Sequence, residues 1–294
     1  MASLGDLIDA LEAADAASAL RDLDERGRLT ALLPDLEAGR GFQQPELHYY
    51  DVLQHNLAAA VAFDAATGRG EDGTELREVI AWVDLDESLS RRIDGLSLRA
   101  VTRLACLLHD VAKPRSAAQI DGRLRFPRHG PLGAEMMSER LPQIGFRPEV
   151  TDLVSRLIRY HLRPAELVRT WPPTDRAVRR FVNDLDGHVL PLMLVNLSDG
   201  WATRGPGYTR ENFRRHCAFM NYVLARAWGA TEEDDPPLVS GDDLIRELDL
   251  QSGRLLGAIL TSLRRAQSDG AITDRNEALA YARHVLAALP AEES

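Results

Sequence analysis

Cysteine is nearly absent: Cys106 and Cys217 are the only two in 294 residues. They are too few and too isolated for a disulfide framework or a thiolate zinc site, so both read as buried structural thiols. Lysine is scarcer still, because Lys113 stands alone among 35 basic side chains and arginine carries the rest. No run of about 18 uncharged apolar residues occurs, and Asp6, Asp9 and Glu12 fall within the first dozen positions. We therefore expect no signal peptide or membrane anchor, and a cytoplasmic protein. Low-complexity tracts and solenoid repeats are also missing. What is present is an ordinary globular composition, 45% apolar and 27% charged. A chain of this length has room for one large or two medium domains, and a core of that size needs no metal staple. A metal here would serve function.

The net charge of −10 is unevenly spread. Between Arg91 and Ala230 there are 23 Arg and Lys against 13 Asp and Glu, whereas the two flanks together hold 12 against 32. Overall acidity argues against a broad nucleic-acid coat. A basic centre suits a bounded anionic partner such as a phosphoester or an RNA end, although arginines that merely solvate helix faces would give the same balance.

Apolar residues recur at three- and four-residue spacing, as in Leu4, Leu7, Ile8 and Leu11 or Leu104, Leu107 and Leu108. That period predicts an all-α fold. Helices are expected over 3–25, 45–65, 74–83, 97–112, 130–142, 147–162, 174–184, 187–203, 208–229, 240–248, 253–269 and 274–288, with Pro45, Ser97 and Thr174-Asp175 marking starts. Asp121-Gly122 between Gln119-Ile120 and Leu124-Arg125-Phe126 predicts a small hairpin over Ala118 to Pro127. The acidic, proline-containing stretch Thr231 to Pro237 reads as a linker. The organisation expected is an N-terminal helical segment 1–44, a central domain 45–230 and a C-terminal helical segment 238–294.

Four of the eight histidines and two aspartates sit in contexts that a metal site needs: His55, the doublet His109-Asp110, His129, His161 and Asp199. The doublet closes the apolar run Leu104 to Leu108, which demands burial, and a buried carboxylate without a partner costs several kcal/mol. A divalent ion removes that cost. Imidazole nitrogen with carboxylate oxygen suits Mn, Fe, Co, Ni or Zn rather than calcium. Spacing by itself also admits scattered helical histidines.

In this order and context the sequence resembles the HD-domain superfamily of metal-dependent phosphohydrolases, whose pattern is H…HD…H…H…D. His55 resembles the first histidine, Leu107-Leu-His109-Asp110-Val-Ala-Lys113-Pro114 the signature doublet, His129 and His161 the intermediate histidines, and Asp199 the closing aspartate. The resemblance implies an HD-domain helical bundle carrying the small β-hairpin insert, followed by a C-terminal helical segment. It implies that His55, His109, Asp110 and Asp199 hold a first metal, and that His129 and His161 complete a second with Asp110 bridging. Asp110 and Lys113 would be the catalytic pair, with Lys113 near the substrate phosphate. The cofactor expected is one or two divalent transition-metal ions (Mn, Fe, Co or Ni, with Mg also admitted).

The flanks are similar to the HD and tail portions of bacterial tRNA nucleotidyltransferases over roughly residues 15 to 288. His48-Tyr-Tyr-Asp51-Val-Leu-Gln-His55, Phe126-Pro-Arg-His129-Gly-Pro-Leu-Gly133-Ala134, Leu197-Ser-Asp199-Gly-Trp-Ala-Thr203-Arg-Gly205, and the tail from Val239-Ser-Gly241-Asp-Asp-Leu244 through Ala266-Gln267-Ser-Asp-Gly270 carry this likeness. In those enzymes a head with a Gly-rich turn and paired aspartates on a strand does the nucleotide addition. Asp22-Leu-Asp24 and Asp84-Leu-Asp86 have the letters without the glycines or a strand, so no nucleotide addition is expected of this chain. Gly130 departs from the family, which commonly has Glu after that histidine; the lost carboxylate implies a looser His129 or extra space for substrate.

Substrate contacts are expected from His48, two turns before His55 on the same helix face, and from Arg125, Arg128, Arg159 and Arg163, whose guanidinium forks can clamp a phosphate. His188, His216 and His284 read as structural or solvent-facing, Gly133-Ala134 as a helix-packing point, and Trp171 and Trp201 as core residues or base-stacking ones. The function implied is hydrolysis of a phosphomonoester or 2′,3′-cyclic phosphate on a nucleotide or RNA end. The partners implied are a small phosphorylated substrate or an RNA end, and no membrane. Two other readings stay open: the mixed-valent diiron oxygenases, which use the same ligand set, and a catalytically silent RNA-binding relative.

Overall fold

The computed structural model describes residues 3–45, 47–169, 171–229, 237–251, 253–268 and 271–288. Most of the expected linker lies outside these, as do Asp269 and Gly270 of the tail motif. In chain order the elements are α1 (Leu4–Glu12), α2 (Ala16–Glu25), α3 (Arg28–Leu32), α4 (Val52–Thr67), α5 (Glu71–Val79), α6 (Leu85–Ser90), β1 (Arg92–Ile93), β2 (Leu96–Ser97), α7 (Leu98–Leu108), α8 (Lys113–Ser116), β3 (Ala118–Ile120), β4 (Arg123–Arg125), α9 (His129–Ile144), α10 (Pro148–Tyr160), α11 (Arg163–Val168), α12 (Asp175–Leu185), α13 (Val189–Arg204), α14 (Arg210–Gly229), α15 (Gly241–Leu248), α16 (Arg254–Ser268) and α17 (Arg275–Ala288). The fold is all-α, with two small antiparallel hairpins as its strands among the described residues. None of the described helices is long and apolar enough to cross a membrane.

The chain divides into two units: 1–169 with 188–224, and 170–187 with 225–294. α12, inside the expected central span, falls in the second unit. In the first unit α4, α7 and α13 pack on one another. Each is buried around most of its circumference: ten of the eleven α7 residues are buried, as is the run Val189 to Ser198 of α13. A helix apolar on all sides belongs at the centre of a core. α9 and α10 pair beside them through Gly133, where an added Cβ would meet Ile158 Cγ2 at 3.1 Å and Ala112 Cβ at 3.5 Å. That is the close packing point expected of Gly133-Ala134. The second unit gathers Val239, Leu244, Ile259, Leu263, Ala278 and Ala282 into its own apolar core.

Two expected helices are corrected. The helix expected over 3–25 is broken, because Ala13 is extended and Asp15 starts α2 by accepting from the Ser18 amide at 3.1 Å. The helix expected from Pro45 begins instead at Val52, because the Asp51 carboxylate caps it, accepting from the Gln54 amide at 2.7 Å and the Gly41 amide at 2.9 Å. Pro45 opens a turn, its carbonyl accepting from His48 N–H at 2.9 Å. The Asp121-Gly122 hairpin forms, with Ala118 opposite Arg125. So does a second hairpin that was not expected, around Asp94-Gly95, the same dipeptide with both residues again at positive φ. Its strands of two residues are too short to show alternation.

Candidate metal centre

The three central helices and the α9–α10 pair deliver the six expected residues to one place. His55 lies one turn into α4, His109 and Asp110 directly follow α7, and Asp199 stands near the C-terminal end of α13. His129 is the first residue of α9, and His161 directly follows α10. His55, His109, Asp110 and Asp199 form one candidate ligand set; Asp110, His129 and His161 form another.

Asp110 serves both sets with different oxygens. Its Oδ2 lies 3.2 Å from His55 Nε2 and 3.3 Å from His109 Nε2. Its Oδ1 lies 3.2 Å from His129 Nε2 and 3.6 Å from His161 Nε2. Asp199 Oδ1 is 3.2 Å from His55 Nε2 and 3.5 Å from His109 Nε2. Within each set the paired imidazoles bring Nε2 to Nε2 at 3.1 Å. Ligands about 2.1 Å from a common ion stand about 3.0 Å apart at right angles and about 3.4 Å at tetrahedral angles. These spacings fit.

Backbone carbonyls fix three of the four rings. His109 Nδ1–H donates to the Cys106 carbonyl at 2.8 Å, His129 Nδ1–H to Phe126 at 2.8 Å and His161 Nδ1–H to Ile158 at 2.7 Å. A proton on Nδ1 leaves the Nε2 lone pair aimed inward. With neutral rings, acceptors face acceptors, so a cation or an added proton must stand between them: His55, His109 and Asp110 are fully buried, and neither Asp110 oxygen has a well-directed hydrogen-bond donor. Such an arrangement demands positive charge, and the donor set is consistent with divalent metal binding.

The electrostatics follow the same demand. Burial opposes charge on His109, yet Asp110 and Asp199 outweigh it and hold its pKa up at about 10. Burial, with charge on His109, pushes His161 down to about 3. Burial would raise Asp110, but Lys113 and His109 hold it well below the usual carboxylate range. The adjoining His109 and His55 likewise override burial at Asp199 and hold it well below the usual carboxylate range. The Asp199 side chain is 18% exposed, the most open of the six.

Lys113, 5% exposed, brings Nζ to 2.6 Å from Asp110 Oδ2, off the hydrogen-bonding direction, and 5.5 Å over the Phe126 ring. His48 is not on α4; it precedes the helix in the 42–50 segment. It still reaches the site, with Nε2 3.3 Å from Lys113 Nζ and its ring 5.8 Å from that of His55. Burial, then Lys113 and His55, push its pKa down to about 4. Arg125, Arg128 and Arg159 are exposed and make no side-chain hydrogen bond or ion pair among the described residues. Arg163 lies over the Tyr160 ring at 5.8 Å, with Nε 3.7 Å from Glu166.

Gly130 opens no space. An added Cβ would fall 3.0 Å from the Arg159 carbonyl oxygen, 3.2 Å from that of Ile158 and 3.5 Å from His161 Cε1. The Phe126 carbonyl, not a carboxylate, orients His129. Trp201 stacks on Tyr208 at 5.3 Å. His216 is structural, donating to Asn196 Oδ1 at 2.8 Å.

Sequence reasoning missed three residues around the cluster. Gln44 Oε1 accepts from Lys113 at 2.7 Å, Thr203 Oγ1 donates to Asp199 Oδ1 at 3.2 Å, and Asn196 Nδ2 donates to the His161 carbonyl at 3.4 Å. Thr203 was detectable, four residues after Asp199 on the same helix face. Gln44 carries no local signal.

A family model for the HD domain matches residues 87–185, a span that holds His109, Asp110, His129 and His161. The chain thus carries an HD domain. An A-adding tRNA nucleotidyltransferase of Deinococcus radiodurans is 30% identical over 276 residues, covering 92% of this chain and 55% of that protein. A CC-adding tRNA nucleotidyltransferase of Thermus thermophilus is 29% identical over 270 residues, covering 90% of this chain and 52% of that one. A bifunctional uridylyltransferase/uridylyl-removing enzyme of Erythrobacter litoralis is 28% identical over 173 residues, 58% of this chain and 16% of that enzyme. The chain is an HD-superfamily protein homologous to tRNA nucleotidyltransferases over most of its length, and it spans about half the length of the two it matches.

Proposed function

We propose that this chain is a metal-dependent phosphohydrolase acting on a phosphomonoester or 2′,3′-cyclic phosphate of a nucleotide or RNA end. The observation that supports this reading most is the convergence of inward-facing imidazole nitrogens and carboxylate oxygens in two sets that share Asp110. In this reading His55, His109, Asp110 and Asp199 hold one ion, and Asp110, His129 and His161 a second. Divalent ions held there would supply Lewis acidity and lower the pKa of water toward neutrality.

The chain's own residues do the rest. Asp110, shared by both sets, would hold them together, and the proton of the attacking water would leave along a nearby solvent path, since both Asp110 oxygens are taken up by the two sets. Lys113, buried beside Asp110, places a fixed positive charge where phosphoryl oxygens gain negative charge. The carbonyls of Cys106, Phe126 and Ile158 keep the rings oriented, so little reorganisation accompanies reaction. His48, Arg125, Arg128, Arg159 and Arg163 supply the substrate-binding donors, the arginines as bidentate forks. Relatives named for tRNA and for uridylyl removal support a nucleotide or RNA end as substrate and hydrolysis as the reaction.

The test is phosphate release from nucleoside mono-, di- and triphosphates and an aryl phosphate, together with ring opening of 2′,3′-cyclic nucleotides to the 2′- or 3′-monophosphate, by Mn- or Co-loaded protein. Wild type should hydrolyse at least one of these, and Asp110→Ala should lose both turnover and bound metal. Full activity in the variant would sink the site assignment. Silence across the panel with metal bound would overturn the hydrolase in favour of an oxygenase, seen as oxygen uptake by iron-loaded protein, or of salt-dependent tRNA binding without chemistry.

A further inference from the structure

A buried ammonium must place its three protons, and Lys113 has few acceptors in reach. Asp110 Oδ2 is close at 2.6 Å but off the hydrogen-bonding direction, and in the proposed function it faces a metal. His48 Nε2 stands at 3.3 Å. The short, well-formed bond is to Gln44 Oε1 at 2.7 Å, across 69 positions of sequence. The Gln44 amide cannot turn over, because its Nε2 donates to the Tyr50 carbonyl at 3.2 Å. A flipped amide would set N–H against the ammonium and oxygen against a carbonyl. The carbonyl of that amide therefore takes one ammonium proton of Lys113 along a direction fixed by the Gln44–Tyr50 hydrogen bond, while Nζ stays within 2.6 Å of Asp110 Oδ2.

We propose that Gln44 is the positioning residue of Lys113, holding its ammonium available to a phosphate-class anion at the centre. The proposal rests on the phosphohydrolase reading for the identity of the anion. Neutrality is the point of the amide. A carboxylate of the same shape at residue 44 would satisfy Lys113 completely, cancel its charge and repel an incoming phosphate.

Because Lys113 is the only lysine in the chain, lysine labelled with 15N at Nζ gives one side-chain signal that reports this ammonium directly. In metal-loaded wild type we expect ammonium protons slow enough to observe and a signal that shifts on titration with inorganic phosphate. Gln44→Leu should move the signal and speed proton exchange. Gln44→Glu should restore the slow exchange yet weaken phosphate binding about tenfold or more, the weight of a lost charged hydrogen bond. Metal content and melting temperature should be unchanged in both. A lysine signal indifferent to Gln44→Leu, or a Gln44→Glu protein that binds phosphate like wild type, overturns the proposal. So does loss of metal together with phosphate affinity, which would mean that Gln44 acts through the fold. A signal that answers to Gln44→Leu but never to phosphate overturns the anion half of the proposal while Gln44 keeps its hold on Lys113, and the substrate panel decides separately whether the phosphohydrolase reading falls as well.

Discussion

Replacing Gly130 with Ala puts one methyl group where α9 and α10 leave none. Its Cβ would lie 3.0 Å from the Arg159 carbonyl oxygen and 3.2 Å from the Ile158 carbonyl oxygen. Ordinary contacts begin near 3.4 Å, and backbone at the end of a packed helix cannot swing aside as a side chain can. The two helices must separate by a few tenths of an ångström. Overpacking of this kind costs about 1–3 kcal/mol, which for a unit of roughly 200 residues lowers the melting temperature by about 2–10 °C. The strain is aimed at the centre, because the Ile158 carbonyl also orients His161 and Gly130 adjoins His129. We therefore expect Gly130→Ala to lose metal from the His129–His161 set while the His55–His109–Asp199 set retains its ion. Calorimetry and metal analysis read the two effects separately. Gly207→Ala is the control, since nothing lies within 4 Å of its added Cβ. A Gly130→Ala protein as stable as that control, with unchanged stoichiometry, would refute the packing argument.

Two further outcomes are expected. Arg103, 3% exposed, ion-pairs with Asp64 at 2.6 Å and donates to the Leu11 carbonyl. Arg103→Leu would strand a mostly buried carboxylate whose pKa burial already raises against the pull of Arg103, costing about 3–5 kcal/mol in urea unfolding; a loss under about 1 kcal/mol would contradict the pairing. Burial, then the neighbouring Glu75 and Asp72, push the Cys217 thiol up to about 12, and burial raises Cys106 further. A disulfide thiol reagent at pH 8 should thus find neither thiol in native protein and both in guanidinium. Rapid native labelling of either would count against the described core.

Most of the centre was legible in the sequence because each histidine and aspartate is announced by its own neighbours. The apolar run Leu104 to Leu108 forces His109-Asp110 inside, and the signature order of the six residues survives without any knowledge of distance. Helix existence was equally local, set by the three- and four-residue period. Boundaries were less so: the Asp51 cap outcompeted Pro45, and an extended Ala13 broke what periodicity had joined.

The sequence by itself determined the candidate ligand types, their order and the helical class, since residue chemistry and hydrophobic period are properties of neighbouring positions. Only the tertiary structure decided that one carboxylate, Asp110, turns a different oxygen to each histidine pair, that Gly130 is filled by α10 rather than open, and that Gln44 meets Lys113. These are close approaches between segments far apart in the chain, fixed by how whole helices pack, and no local pattern of residues records them.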